Sequence, residues 1–394
     1  MSGRPAAKAP LSPTSGLNAR VRELVALGHD ITVLTAGESP GSPPEHVRQA
    51  AARAALSPDG HGYGPTAGMP QLRDRVAQST PGTAGELLST ENVVITGGAK
   101  SALFSIFLSM LSPGDGVLIP TPAWPTYGHA VRLAGGRTVV APTTAATGFQ
   151  PTTELLERHH DAGIRLLVLC SPANPTGAVL DRERLREIGG WCARHRVTVV
   201  LDQVYGRLSW AGVDQPARRV LREAGAEVVV VDGVSKTYAM TGWRVGWLVA
   251  PAPVAAAVTA VVSHTANHPN RVAQTAALAA LEGDQESVEQ LRRHLLGNRE
   301  RLGRMLSAVP DVVDYHEPQG TFYAFPSLAP LLERRPALSD AATVADRLLN
   351  EAGIAVIPGG PFGAAQHIRV SFVEPAEQFE RAIQRMIDHL TAMK

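Results

Sequence analysis

The sequence predicts an α/β protein: a large domain with a mostly parallel seven-stranded sheet flanked by helices, plus a smaller α+β domain. Three observations carry this prediction. Seven short apolar, β-branched runs lie between Val93 and Val249. Amphipathic segments of helical period separate them, the signature of a sheet covered on both faces and built from crossover units. After Pro269 the pattern changes to longer helices and shorter strands.

The runs are Val93-Val94-Ile95, Val117-Leu118-Ile119, Thr138-Val139-Val140, Leu166 to Leu169, Val197 to Leu201, Val228 to Val231 and Val245 to Val249. Asp181 to His195 illustrates the intervening helices, with Leu185, Ile188 and Trp191 on one face and charged residues elsewhere. Helical periodicity dominates from Ala273 to Leu306. Short strands are expected around Thr321 to Phe325, Ala355 to Ile357 and His367 to Phe372, followed by a helix from Glu377 to Leu390. Leu17 to Leu27 is helical and precedes the large block, so it is assigned to the smaller domain. The expected organisation is a loose arm over residues 1–16, a small domain from 17–44 and 285–394, and a large domain over 45–284.

Composition narrows the function classes. Lysine and arginine number 37 against 36 acidic residues, a net charge of +1 without a long basic run, so neither nucleic acid nor an anionic membrane is an expected partner. No apolar stretch is long enough to span a bilayer. Cys170 and Cys192 are too few for a disulfide framework. Met1 to Pro13 lacks the apolar core of an export signal, and a cytoplasmic enzyme is expected.

In a parallel sheet, ligands bind beyond the carboxyl ends of the strands. Four runs end in informative residues: Thr96-Gly97-Gly98-Ala99-Lys100-Ser101, Ser171-Pro172-Ala173-Asn174-Pro175-Thr176-Gly177, Asp202-Gln203-Val204-Tyr205 and Asp232-Gly233-Val234-Ser235-Lys236. Gly98-Ala99-Lys100 opens a helix with small residues, which suits an anion at the positive helix end or a plain turn. Asp202 either caps the next turn or holds a proton on a heteroaromatic nitrogen. Taken alone, Lys236 would be a solvated surface lysine. Together these residues point to one ligand at one rim.

The run Ser235-Lys236-Thr237-Tyr238-Ala239-Met240-Thr241-Gly242-Trp243-Arg244-Val245-Gly246 closely resembles the lysine motif of class I/II aminotransferases, the fold-type I pyridoxal 5′-phosphate (PLP) enzymes, in their aspartate-aminotransferase-like branch. Asn174-Pro175-Thr176-Gly177 and Asp202-x-x-Tyr205 stand upstream at the family's spacing. Leu34 to Glu38, Tyr63 to Gly68, Pro122 to Pro125 and His367 to Ser371 extend the match from about Leu17 to the C-terminus. The resemblance implies PLP held as an imine on Lys236, which then moves the proton between Cα and the cofactor. It implies Asp202 on the ring nitrogen and Tyr205 and Asn174 on the phenolic oxygen. Trp124 would stack on the ring. Gly98, Ala99, Lys100, Ser235 and Arg244 would hold the phosphate. Arg369, helped by the Gly37 backbone, Trp124 and Asn174, would hold the substrate carboxylate. Tyr63 would reach the phosphate of a neighbouring subunit, so a homodimer is expected. The reaction implied is exchange of an amino group between an amino acid and a 2-oxo acid. Elimination, decarboxylation or oxidation on the same scaffold is the alternative.

Several positions depart from the family pattern. Gly233 stands where many members have a phosphate-binding Ser, and Gln203 replaces the usual Glu and is expected to point away from the cofactor. Glu38-Ser39-Pro40-Gly41-Ser42-Pro43 replaces a Glu-Pro-Asp-Phe type of entrance loop, and Pro13 to Leu17 is shorter than its counterpart. In Ser263 to Arg271, His264 and His268 have metal-ligand spacing only if helical, which Pro269 opposes. No metal is expected. Arg271 either contacts a substrate carboxylate or faces solvent. His159-His160 reads as an exposed helix end.

Overall fold

The protein is described by a computed structural model that covers residues 13–58, 61–210 and 216–393. The first helix spans Pro13–Ala26, so it starts four residues earlier than expected. Of the expected arm, residues 1–12 lie outside the described residues. The strands in chain order are β1 Thr32–Val33, β2 Val93–Thr96, β3 Gly116–Thr121, β4 Arg137–Pro142, β5 Ile164–Cys170 and β6 Thr198–Asp202. They continue with β7 Val228–Gly233, β8 Gly246–Val249, β9 Tyr323–Ala324, β10 Ile354–Ala355, β11 Ile357–Pro358 and β12 Ile368–Ser371.

Each of the seven apolar runs contributes a strand to one seven-stranded sheet of order β2-β8-β7-β6-β5-β3-β4. β3 to β7 run parallel to their sheet neighbours among themselves, whereas β8 lies antiparallel to both β2 and β7. Both faces are covered. Ile95, Leu118, Leu167 and Val199 pack into one core, and Val94, Val117, Leu166 and Val200 into the other. Each such valine or leucine contributes about 1.5–3 kcal/mol by leaving water, which explains why the runs are apolar at every position rather than at alternate ones.

The antiparallel β8 positions the site. Because the chain reverses after β7 and returns as β8, residues 234–245 form a loop at the same rim as the ends of β5, β6 and β7. Lys236 and Arg244 both lie on that loop. Gly246 at the start of β8 has no room for a side chain, since a Cβ there would sit 2.6 Å from the Ala99 nitrogen. The tight fit draws the loop against the first turn of the helix Ala99–Met110.

The expected periodicity from Ala273 to Leu306 resolves into two helices, Arg271–Glu282 and Glu286–Ser307. The second leads into a separate core that includes Leu295, Leu302, Phe322, Leu348, Phe379 and Met386. β9, β12 and β11 form a three-stranded antiparallel sheet there. β1 pairs in parallel with β10, and Val21 of the first helix packs against Leu349 and Ala355. The final helix spans Ala376–Ala392.

Candidate active site

A cleft of about 590 Å³ opens where the carboxyl ends of the sheet meet the second core. Its lining includes Gly37, Ala99, Lys100, Trp124, Asn174, Asp202, Tyr205, Ser235, Lys236, Arg244 and Arg369, gathered from strand ends, helix starts and β12. Gly98, just before the helix Ala99–Met110, backs this wall. Its φ of +90° suits glycine, and a Cβ would lie 2.5 Å from Arg244 Nη2. Backbone N–H groups at a helix start, the Arg244 guanidinium and the exposed Lys100 ammonium thus share one wall of the cleft. The Lys100 pKa is lowered by burial and by the charge of Arg244. Its Nζ stands 5.1 Å from the centre of the Trp124 ring.

Asp202 is 2 % exposed at the end of β6. Its carboxylate accepts a hydrogen bond from Tyr127 Oη at 2.6 Å and one from the Val204 N–H at 3.2 Å. Among the described residues no cation is within ion-pair distance of it. Burial therefore raises its pKa, against the pull of the Tyr127 and Val204 hydrogen bonds and of Lys236. A carboxylate held this way is completed by a cationic nitrogen.

Lys236 donates from Nζ to the Gly37 carbonyl at 2.5 Å. Burial pushes its pKa down to about 8; Arg369 and Arg244 add to the effect, while Glu38 and Asp202 oppose it. At pH 7 roughly a tenth of the amine is therefore uncharged and nucleophilic. Capture of PLP by the cofactor-free protein is expected to slow about tenfold per pH unit below pH 8 and to level off above it. A lysine at its ordinary value would still be accelerating beyond about pH 10, and stopped-flow absorbance separates the two outcomes.

Arg369 is 3 % exposed on β12. Its Nη1 donates to Asn174 Oδ1 at 3.0 Å and its Nη2 to the Thr35 carbonyl at 3.1 Å, while the buried Nε has no partner. Among the described residues it has no carboxylate partner. Its guanidinium lies 4.1 Å from the Tyr323 ring centre and 5.4 Å from that of Phe362. A desolvated cation without a counter-ion, opening on a cleft, suits an anionic ligand.

Two cleft residues were not legible in the sequence. Tyr127 lies in the first turn of the helix Thr126–Leu133, three residues after Trp124, and its ring meets the indole edge-on at 5.5 Å. Tyr323 contacts Tyr205 hydroxyl to hydroxyl at 3.3 Å. Other expected residues lie elsewhere. Tyr63 is 90 % exposed and meets the His268 ring edge-on, away from the cleft of its own chain. His268 is committed: Nε2 accepts from the Gly64 N–H at 3.1 Å, and Nδ1 contacts the Pro269 carbonyl at 2.9 Å. Arg271 packs beneath Gly64, and His264 caps the end of the helix Ala252–Ser263. The helical His264–His268 pair considered from spacing does not form. Gln203 is absent from the cleft wall.

The profile of the family described as aminotransferase class I and II matches residues 29–386. The chain belongs to this family. The aspartate aminotransferase of Streptomyces avermitilis is 36% identical over 389 residues, covering 97% of this chain and 95% of that one. The asparagine–oxo-acid transaminase of Streptococcus mutans is 32% identical over 378 residues, covering 95% of each. The structure of aspartate aminotransferase from Thermus thermophilus with maleate superposes with a TM-score of 0.90 at 35% identity, covering 99% of this chain and 100% of that one. As an aminotransferase, the chain is a PLP-dependent enzyme of amino-group transfer. These relatives give no support to elimination, decarboxylation or oxidation. The cleft fits the cofactor: an anion cradle at Gly98 and Arg244, a buried carboxylate lacking a cation at Asp202, and an amine of lowered pKa at Lys236 all open on it.

Proposed function

We propose that this aminotransferase moves the amino group of L-aspartate to a 2-oxo acid, with Lys236, Asp202 and Tyr205 as its catalytic groups. The observation that carries the reading is the buried, carboxylate-free guanidinium of Arg369 in the same cleft as the Lys236 amine. The donor is taken from relatives that are aspartate aminotransferases.

When bound, PLP supplies an electron sink for negative charge at the substrate α-carbon. Lys236 would hold the cofactor covalently through its amine and would carry the proton to and from the substrate α-carbon. Asp202 keeps a proton on the ring nitrogen, and Tyr127 fixes the carboxylate that does so. Tyr205 and the Asn174 amide hold the phenolic oxygen, while Asn174 Oδ1 also orients Arg369. Gly98, Ala99, Lys100, Ser235 and Arg244 bind the phosphate. Trp124 covers the ring, a contact worth about 0.5–1.5 kcal/mol beyond its burial. Arg369 binds the α-carboxylate, with Gly37 beside it.

Arg369→Lys keeps the charge and loses the planar fork. One charge-assisted hydrogen bond fewer costs about 1.5–3 kcal/mol, so kcat/KM should fall roughly 10- to 150-fold, chiefly through KM. The absorbance of the bound cofactor should not change. A fall confined to kcat would remove Arg369 from substrate binding.

Residues 17–44 with 285–394 are proposed as the small domain and 45–284 as the large one. The β1–β10 pairing and the separate second core support this division. Exposed Tyr63 supports a homodimer in which it completes the neighbour's phosphate site. The free thiols of Cys170 and Cys192 are in keeping with a cytoplasmic setting. Steady-state comparison of L-aspartate with L-alanine and L-phenylalanine tests the donor. Aspartate should have the highest kcat/KM; a preference for either neutral amino acid would overturn that assignment.

A further inference from the structure

The His159-His160 pair has no part in the chemistry above, but the fold gives His160 two partners. The helix Thr153–His159 ends at His160, and the helix Arg182–His195 ends beside it. His195 Nε2 lies 3.0 Å from Glu157 Oε2. The His160 and His195 rings have centroids 4.2 Å apart. One donor atom from each of Glu157, His160 and His195 falls within 4.8 Å of the other two. We propose that these three side chains form a surface binding site for a divalent cation of the zinc class, with water in the fourth position.

Three features support the site. Two imidazoles and a carboxylate are the donor set that selects zinc-like ions over magnesium or calcium. The Trp191 indole donates to Glu157 Oε2 at 2.6 Å, orienting the carboxylate as an outer-shell partner would. Both helices end here, and their terminal carbonyls favour a cation. His159 takes no part, because its Nδ1 contacts the Leu155 carbonyl at 2.9 Å.

A zinc–nitrogen bond of about 2.0–2.1 Å puts tetrahedral ligands roughly 3.3 Å apart, so the widest pair must close by side-chain rotation. The site permits that, since Glu157 is 59% exposed and His195 24% exposed. Occupied, it would tie the two helix ends together some way from the cleft, as a structural cation rather than a catalytic one.

The test is calorimetric titration of the PLP-loaded enzyme with zinc chloride. Wild type should bind one zinc per chain at this site. His160→Ala and His195→Ala should each weaken binding by more than the ~10–100-fold lost when an outer-shell partner is removed. Aminotransferase activity should be unchanged in both. If His195→Ala does not fold, His160→Ala and Glu157→Gln at the exposed helix end carry the comparison. His264→Ala should bind as wild type does. No zinc uptake by wild type, or equal affinity and stoichiometry in the histidine variants, would overturn the site.

Discussion

Lys236→Ala is expected to lower kcat/KM for amino transfer by about 10⁴-fold or more, the upper range for loss of a positioned acid–base group. The variant also loses the amine proposed to hold the cofactor covalently. Borohydride reduction followed by peptide mass spectrometry should label Lys236 in wild type and leave the variant unlabelled. The loop 234–245 should be unaffected, because the side-chain bond lost is the one to the Gly37 carbonyl. The contact of Ser39 Oγ with the Lys236 backbone carbonyl is retained. Label on any other lysine of the wild-type enzyme would move the catalytic assignment.

Asp202→Asn should separate stability from function. Its buried carboxyl has a raised pKa in the folded chain, so the folded state holds this proton more tightly than the unfolded one. Above the ordinary carboxyl pKa the charged group therefore costs stability in the cofactor-free protein, and the amide removes that cost. Tyr127 can accept from the new amide while Oδ1 keeps the Val204 N–H. The cofactor-free variant is expected to melt no lower than the cofactor-free wild type at pH 7. Amino transfer should nevertheless fall by roughly two to four orders of magnitude, since removing one partner of a buried ion pair costs about 3–5 kcal/mol. Near-normal turnover with bound PLP would remove Asp202 from the ring nitrogen.

The sheet was legible because its strands are buried on both faces, which forces apolar residues at every position from Val228 to Val231. Asn174, Asp202 and Lys236 were legible because they follow such runs within a few residues, whereas Arg244 and Arg369 were reached only through the family resemblance. The direction of β8 was not: Val245 to Val249 reads the same in either orientation. Yet that reversal is what sets Arg244 beside Gly98. Tyr323 was hidden for another reason. It comes beside Arg369 through antiparallel pairing of Ser371 with Tyr323, a contact between distant segments that local periodicity does not record. Tyr127 acts through its hydroxyl on a strand end 75 residues away, and its neighbours suggest only an ordinary amphipathic turn. Tyr63 marks a different limit, since its expected target belongs to a second subunit.

The most direct test of the central claim is a single-turnover titration of purified, PLP-loaded enzyme with L-aspartate alone. The visible absorbance of the bound cofactor should disappear with one equivalent of 2-oxo acid formed per site, and a different 2-oxo acid should restore it. Ammonia release in step with the loss of absorbance, or oxygen uptake, would contradict amino-group transfer in this cleft.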